Sequence, residues 1–204
     1  MPGPRRALPL LLALVLTGGC GNDTAPDEAA DPDPSSSDPA TLEAITPAGV
    51  AGVVREVVGA ERIVSYSAAG ESDSVGVQVR LSGRQVLVVT VQVTGDAPID
   101  SCEDIADTAM GGGECETDED GTILASGTAE AFSDDNTRGS TVLAQSINPE
   151  SGRVVYALYE TYSPTPALDP ATVAAIVSDP ALAAMTDPAT NQAGADIELT
   201  APGS

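Results

Sequence analysis

The run SVGVQVRLSGRQVLVVTVQV, residues 74–93, decides the fold class. Val75, Val77, Val79 and Leu81 alternate strictly, so they line one face of an extended strand. Ser82 and Gly83 separate them from a second valine-rich run, residues 85–93. Two alternating runs around a glycine-containing pair read as a β-hairpin. The second run is apolar on both faces, which places it in the centre of a sheet, covered by a helix.

Working outward, residues 41–60 carry Leu42, Ile45, Val50, Val53, Val54, Val57 and Val58. From Val50 onward this is the spacing of an amphipathic helix, with Thr46 as cap, Pro47 at the first position and Gly59 as stop. Residues 63–68 form a short strand, and 100–110 a turn or two of helix before Gly111-Gly112-Gly113. Asp120-Gly121 is a tight turn leading into a strand over 122–128. Residues 141–147 and 153–162 are strands joined through Asn148, Pro149 and Gly152. Asp169-Pro170 caps and opens a helix through Val177. Asp179-Pro180 starts a further short helical piece holding Leu182 and Met185, and residues 193–204 are expected to fray. The sum is an α+β fold: an antiparallel β-sheet of about five to six strands, with an N-terminal and a C-terminal helix packed on one face.

The N-terminus reads as an address. Arg5 and Arg6 precede an apolar run over residues 7–16, and Gly18 and Gly19 precede Cys20. Charge, apolar stretch and small residues in that order make a secretory signal peptide. Ten apolar residues rise only ~15 Å as a helix, about half a bilayer core. The ending Thr17-Gly18-Gly19-Cys20 resembles the lipobox of bacterial lipoproteins, with Leu16 one place further back than the usual leucine. That resemblance implies cleavage before Cys20, a diacylglycerol on its sulfur and an anchor on the outer face of a cell membrane. Residues 21–40 hold no large apolar side chain, only proline, aspartate, serine, alanine and other small or polar residues. Such a stretch cannot offset the entropy of ordering and is predicted to be an extended tether of up to about 60 Å. The chain therefore divides into a signal peptide (1–19), a lipidated cysteine with tether (20–40) and one folded domain (41–204), the last of ~165 residues and able to enclose a core.

The net charge is −23, from 31 acidic and 8 basic residues, and every basic residue is arginine. Residues 85–137 contain 13 acids and no basic side chain. Such a surface repels nucleic acid and anionic lipid headgroups, and leaves cations, basic polypeptides or plain solvation as what it serves. The aromatic residues are Phe132, Tyr66, Tyr156, Tyr159 and Tyr162, too few for a base- or sugar-stacking platform.

With Cys20 given to lipid, Cys102 and Cys115 remain, and in an exported chain they are predicted to pair as a disulfide. A metal site on both thiols lacks a histidine or further cysteine to complete it. Glu116, Asp118 and Asp120 before Gly121 partly resemble a calcium loop, the only cofactor candidate. Glu116 stands where such a loop starts with aspartate, and Gly127 where it ends with a bidentate glutamate. A solvated Asp-Gly turn explains the same residues; Asp134, Asp135 and Asn136 are further acceptors that folding can bring near. With no histidine and no lysine, Ser-His, Cys-His and Ser-Lys nucleophile pairs are excluded, and the chain is read as non-enzymatic. A carboxylate pair such as Asp104 and Asp107 leaves glycoside hydrolysis open. Tyr156, Leu158 and Tyr162 share one strand face, and Val155, Ala157 and Tyr159 the other; they line either a lipid pocket or a plain core.

Three stretches of the second half, Cys102 to Gly121, residues 148–161 and residues 168–180, are similar to uncharacterised lipoproteins of actinobacteria. That resemblance implies an exported, tethered α+β domain and assigns no site residue. The expected function is a membrane-anchored, non-catalytic envelope module that binds a protein or small ligand. A carboxylate-dependent envelope hydrolase and a lipid or small-molecule carrier are the alternatives.

Overall fold

The computed structural model describes residues 41–71, 73–83, 85–94, 101–106, 113–132, 138–162 and 167–201. The signal peptide, Cys20 and the tether lie outside the described residues, as do Asp107, Asp134, Asp135 and Asn136. In chain order the elements are β1 (Glu43–Ala44), α1 (Pro47–Val58), β2 (Ile63–Ala69), β3 (Ser74–Leu81), β4 (Gln85–Val93) and α2 (Cys102–Ala106). There follow β5 (Glu114–Thr117), β6 (Ile123–Phe132), β7 (Arg138–Asn148), β8 (Arg153–Thr161), α3 (Pro170–Val177), β9 (Met185–Thr186) and α4 (Pro188–Ala193).

Seven strands form one antiparallel sheet in the order β2-β3-β4-β8-β7-β6-β5. It consists of two meanders joined where β4 lies against β8. The valine hairpin forms as its alternation requires, with Val77 opposite Val89 and Val79 opposite Leu87. Val77, Val79, Leu87, Val89, Ala157 and Tyr159 share one face and are wholly buried. Over them lie α1 and α3, whose Val50, Val54, Val173 and Ile176 are equally buried. The opposite face of β4 is only half-covered, at Val86 and Val88.

The helix starts follow their caps. Thr46 Oγ1 accepts from the Gly49 amide at 3.2 Å, Asp169 Oδ1 from the Thr172 amide at 2.8 Å and Asp187 Oδ1 from the Ala189 amide at 2.7 Å. Each cap precedes a proline at the first helical position, where its missing N–H leaves no hydrogen bond unmade. Helix α1 ends at Gly59, whose φ of 93° suits a residue without a Cβ. Helices α1 and α4 meet backbone to backbone: a Cβ added at Gly52 would stand 2.7 Å from Ala193 Cβ and 2.8 Å from the Gly194 nitrogen. Asn191 locks the same junction, accepting from the Thr46 amide at 2.9 Å and donating to the Ala44 carbonyl at 2.9 Å.

Three expectations are corrected. The main sheet has seven strands, because the polar Glu114–Thr117 segment pairs with β6, and β1 with β9 makes a separate two-stranded ladder. Helices α1 and α3 share one face of the sheet, and the short α2 lies on the other. Along β5 alternate side chains point apart, so Cys115 faces away from α3 and joins Cys102 of α2 in a disulfide (Cα–Cα 5.8 Å). There α2 covers a small second core of Ile105, Ile123, Ala125 and Ile147 on the reverse of the sheet. Asp179-Pro180 opens a turn instead of a helix, its carboxylate accepting from the Ala181 amide at 2.9 Å, and Met185 lies in β9. The tail does not fray as far as Ala201. The Tyr66 amide donates to the Glu198 carbonyl at 2.9 Å, and the Thr200 amide to the Tyr66 carbonyl at 2.8 Å, so this segment lies parallel to β2.

Two stability predictions follow from this packing. Gly52→Val forces α1 and α4 apart and lowers stability by several kcal/mol, roughly the range of overpacked cores, measured by urea unfolding. Reducing the Cys102–Cys115 bridge, which spans a sequence separation of 13, removes up to about 3 kcal/mol. Hydrogen exchange then rises at β5, β6 and α2 before it rises at β3, β4 and β8.

Candidate functional site

The same alternation that sends Cys115 to the reverse face sends Glu114 and Glu116 to the helix face. They pair with Ser126 and Leu124 of β6, and the facing wall is α3. Between them lies a groove with two connected parts. One, about 480 Å³, runs past Glu114, Glu116, Pro170, Ala171 and Ala174. The other, about 390 Å³, is bounded by Glu116, Asp118, Asp120, Ser146, Ser151 and Arg153. Glu116, Leu124 and Ser178 border both. These are volumes usual for small-ligand sites.

The second part is framed by two turns. In the β5–β6 turn, Asp118 Oδ1 accepts from the Asp120 and Thr122 amides at 3.2 and 2.9 Å, and Asp120 Oδ1 from the Thr122 amide at 2.9 Å. Gly121 takes the positive φ, 81°, that this turn needs. In the β7–β8 turn, Asn148 Oδ1 accepts from the Ser151 amide at 2.8 Å. Asn148 Nδ2 then donates to Thr122 Oγ1 at 3.0 Å, tying one turn to the other.

Two groups on the floor stand out. Ser146 is 1% exposed and its Oγ has no hydrogen-bond partner among the described residues. Arg153 is half-buried, and its Nε likewise has none, while Nη1 donates to the Leu182 carbonyl at 3.4 Å. Burial depresses the Arg153 pKa, and the negative charges of Asp120 and Asp179 oppose that shift. Hydrogen bonds from the Asp118 carboxyl and from Thr122 hold Asp120 down at about 2, with Arg153 adding a smaller effect. Asp118, as the partner in that hydrogen bond, is shifted up from its ordinary value.

Of the sequence-derived candidates, Glu116, Asp118 and Asp120 all border the groove. The two aspartates spend oxygens on their own turn, as an Asp-Gly turn does. No three acidic or cysteine side chains among the described residues stand together as a metal-binding group. Cys102 and Cys115 are bonded to each other. Val155, Ala157 and Tyr159 are plain core, and the Tyr159 hydroxyl donates to Gln85 Oε1 at 2.6 Å. Tyr156 and Leu158 are half-buried on the other face, with Tyr162 exposed beyond the strand end. Ser146 and Arg153 escaped the sequence reading; the one available signal was a serine at an inward position of a strand that otherwise points Val142 and Ala144 inward.

The Asp120 shift has a definite sign. A carboxylate whose folded pKa lies near 2, below the ordinary 3.8, contributes stability that is present above the ordinary value and lost as pH falls through the folded one. Asp169, held low by Thr172, and Asp196, held low by Arg55, act in the same direction. The raised Asp118 opposes the Asp120 contribution, so stability measured by urea unfolding declines below about pH 4 through Asp169 and Asp196, and Asp169→Asn makes that decline shallower. Comparison with protein-family profiles, curated proteins and solved structures finds no match, so the groove is interpreted from its own chemistry.

Proposed function

We propose that this chain is a lipid-anchored module of the bacterial cell envelope that binds a ligand in the groove between β5 and α3 and does not transform it. The observation that carries the binding half is the groove itself, acidic on one rim and ending at a buried serine hydroxyl that has no partner among the described residues. Protein interiors rarely leave such a group unsatisfied, so it marks a place where a partner completes the hydrogen bond. The charges around it are fixed more than reactive: Asp120 stays ionised far below neutral pH, and both turn aspartates are held by backbone amides. The anchoring half rests on residues 1–20, whose order of charge, apolar run and small residues ends at Cys20. The two acyl chains of a diacylglycerol on Cys20 make attachment stable where one chain is marginal.

A second reading is favoured by one observation. Glu116 and Asp118 border the same cleft, a carboxylate pair of the kind a carboxylate hydrolase uses, one as proton donor and the other to activate water.

Both readings meet direct tests. Expressed in a bacterium that processes lipoproteins, the full chain partitions into the detergent phase of a Triton X-114 extraction, and Cys20→Ala moves it to the aqueous phase. An aqueous wild-type protein overturns the anchor. Turnover of an envelope glycan by the purified chain, abolished in Asp118→Asn, replaces the binding reading with the hydrolase.

A further inference from the structure

The two walls of the groove differ in kind. One rim carries Glu114, Glu116, Asp118 and Asp120 in succession. The other is the uncharged helix α3, presenting Pro170, Ala171 and Ala174. A ligand suited to both has an aliphatic length and a positive tip. A bound anion is repelled by four carboxylates, and an uncharged sugar makes no use of their charge. Arg153 does not spoil the site for a cation, because the negative charges of Asp120 and Asp179 offset its own.

Resting on the reading of this chain as a binding module, we infer that the groove takes an extended peptide through a lysine side chain. The four-carbon stem lies along Ala171, Ala174 and Leu124, as lysine stems do on apolar surface. The ammonium donates to the Glu116 carboxylate and to Ser146 Oγ, which at 1% exposure is otherwise without a partner among the described residues. A peptide carbonyl accepts from Arg153 Nε, the second unpaired polar atom of the floor. This occupant satisfies the two groups of the groove floor that have no partner among the described residues and neutralises part of the acidic rim. The chain contains no lysine of its own, so no segment of a neighbouring copy competes for the site by this chemistry.

The test is calorimetric titration of the purified full chain, disulfide intact, with the peptide Ac-Ala-Ala-Lys-Ala-Ala-NH2 and with its Nε-acetylated form. The free lysine peptide binds about tenfold more tightly, a charge-assisted hydrogen bond being worth roughly 1.4 kcal/mol here, and its affinity falls with added salt. Glu116→Gln and Ser146→Ala each weaken it several-fold while the melting temperature, read in parallel, stays within a few degrees. Equal affinity for the two peptides overturns the lysine assignment and leaves the binding module standing. Binding indifferent to both substitutions overturns the groove as its location. If neither peptide binds, the inference falls, and the broader reading is judged separately by the partition and turnover experiments above.

Discussion

The antiparallel seam between β4 and β8 is the contact on which the rest of the molecule depends. From Val86 opposite Glu160 to Val93 opposite Arg153 it joins two meanders that are otherwise complete in themselves. On the helix side it sets Leu87 against Tyr159, Val89 against Ala157 and Val91 against Val155. All six are essentially buried, and they form the floor on which the larger helices rest. The seam is fastened from outside the backbone as well. The Tyr159 hydroxyl donates to Gln85 across 74 residues of sequence and accepts from the Ala167 amide at 3.1 Å. That one phenol ties both meanders to the segment leading into α3. Because the partners are so far apart in sequence, loop-closure entropy opposes the seam until much of the chain is in place.

What sequence disclosed best was whatever depends on local chemistry. The period-two valines gave β3 and β4, the Thr46-Pro47 and Asp169-Pro170 pairs gave the starts of α1 and α3, and Gly59 gave a stop, because caps and turns are decided within a few residues. The failures are equally physical. Asp179-Pro180 and Asp187-Pro188 carry the same start signal, yet only the second opens a helix, α4, and that helix is held by its contact with α1. Glu114–Thr117 is polar and short, and becomes a strand only because β6 is there to pair with it. The two-residue ladder of β1 and β9 has no local signature at all.

The groove was legible in parts and not as a whole. Glu116, Asp118 and Asp120 announced themselves as an acidic run, but their arrangement depends on strand phase: Glu116 faces α3 because Cys115 must face α2. Ser146 and Arg153 gave little warning, since a serine in a strand and an arginine after a turn are ordinary. What makes them notable is the packing of α3 over one and the approach of Asp120 and Asp179 to the other. Such properties arise between elements, and a linear reading of residues does not contain them.

The tail laid against β2 has a consequence for how the protein tolerates being cut. An outer strand with free amides and carbonyls is a template on which another chain can add. Here Tyr66 spends both its backbone groups on Glu198 and Thr200, so this segment serves as a guard on that border. A protease that trims a few residues from the C-terminus removes no core side chain and leaves the groove intact. It does strip the guard, turning a covered margin into a surface where copies can stack strand upon strand.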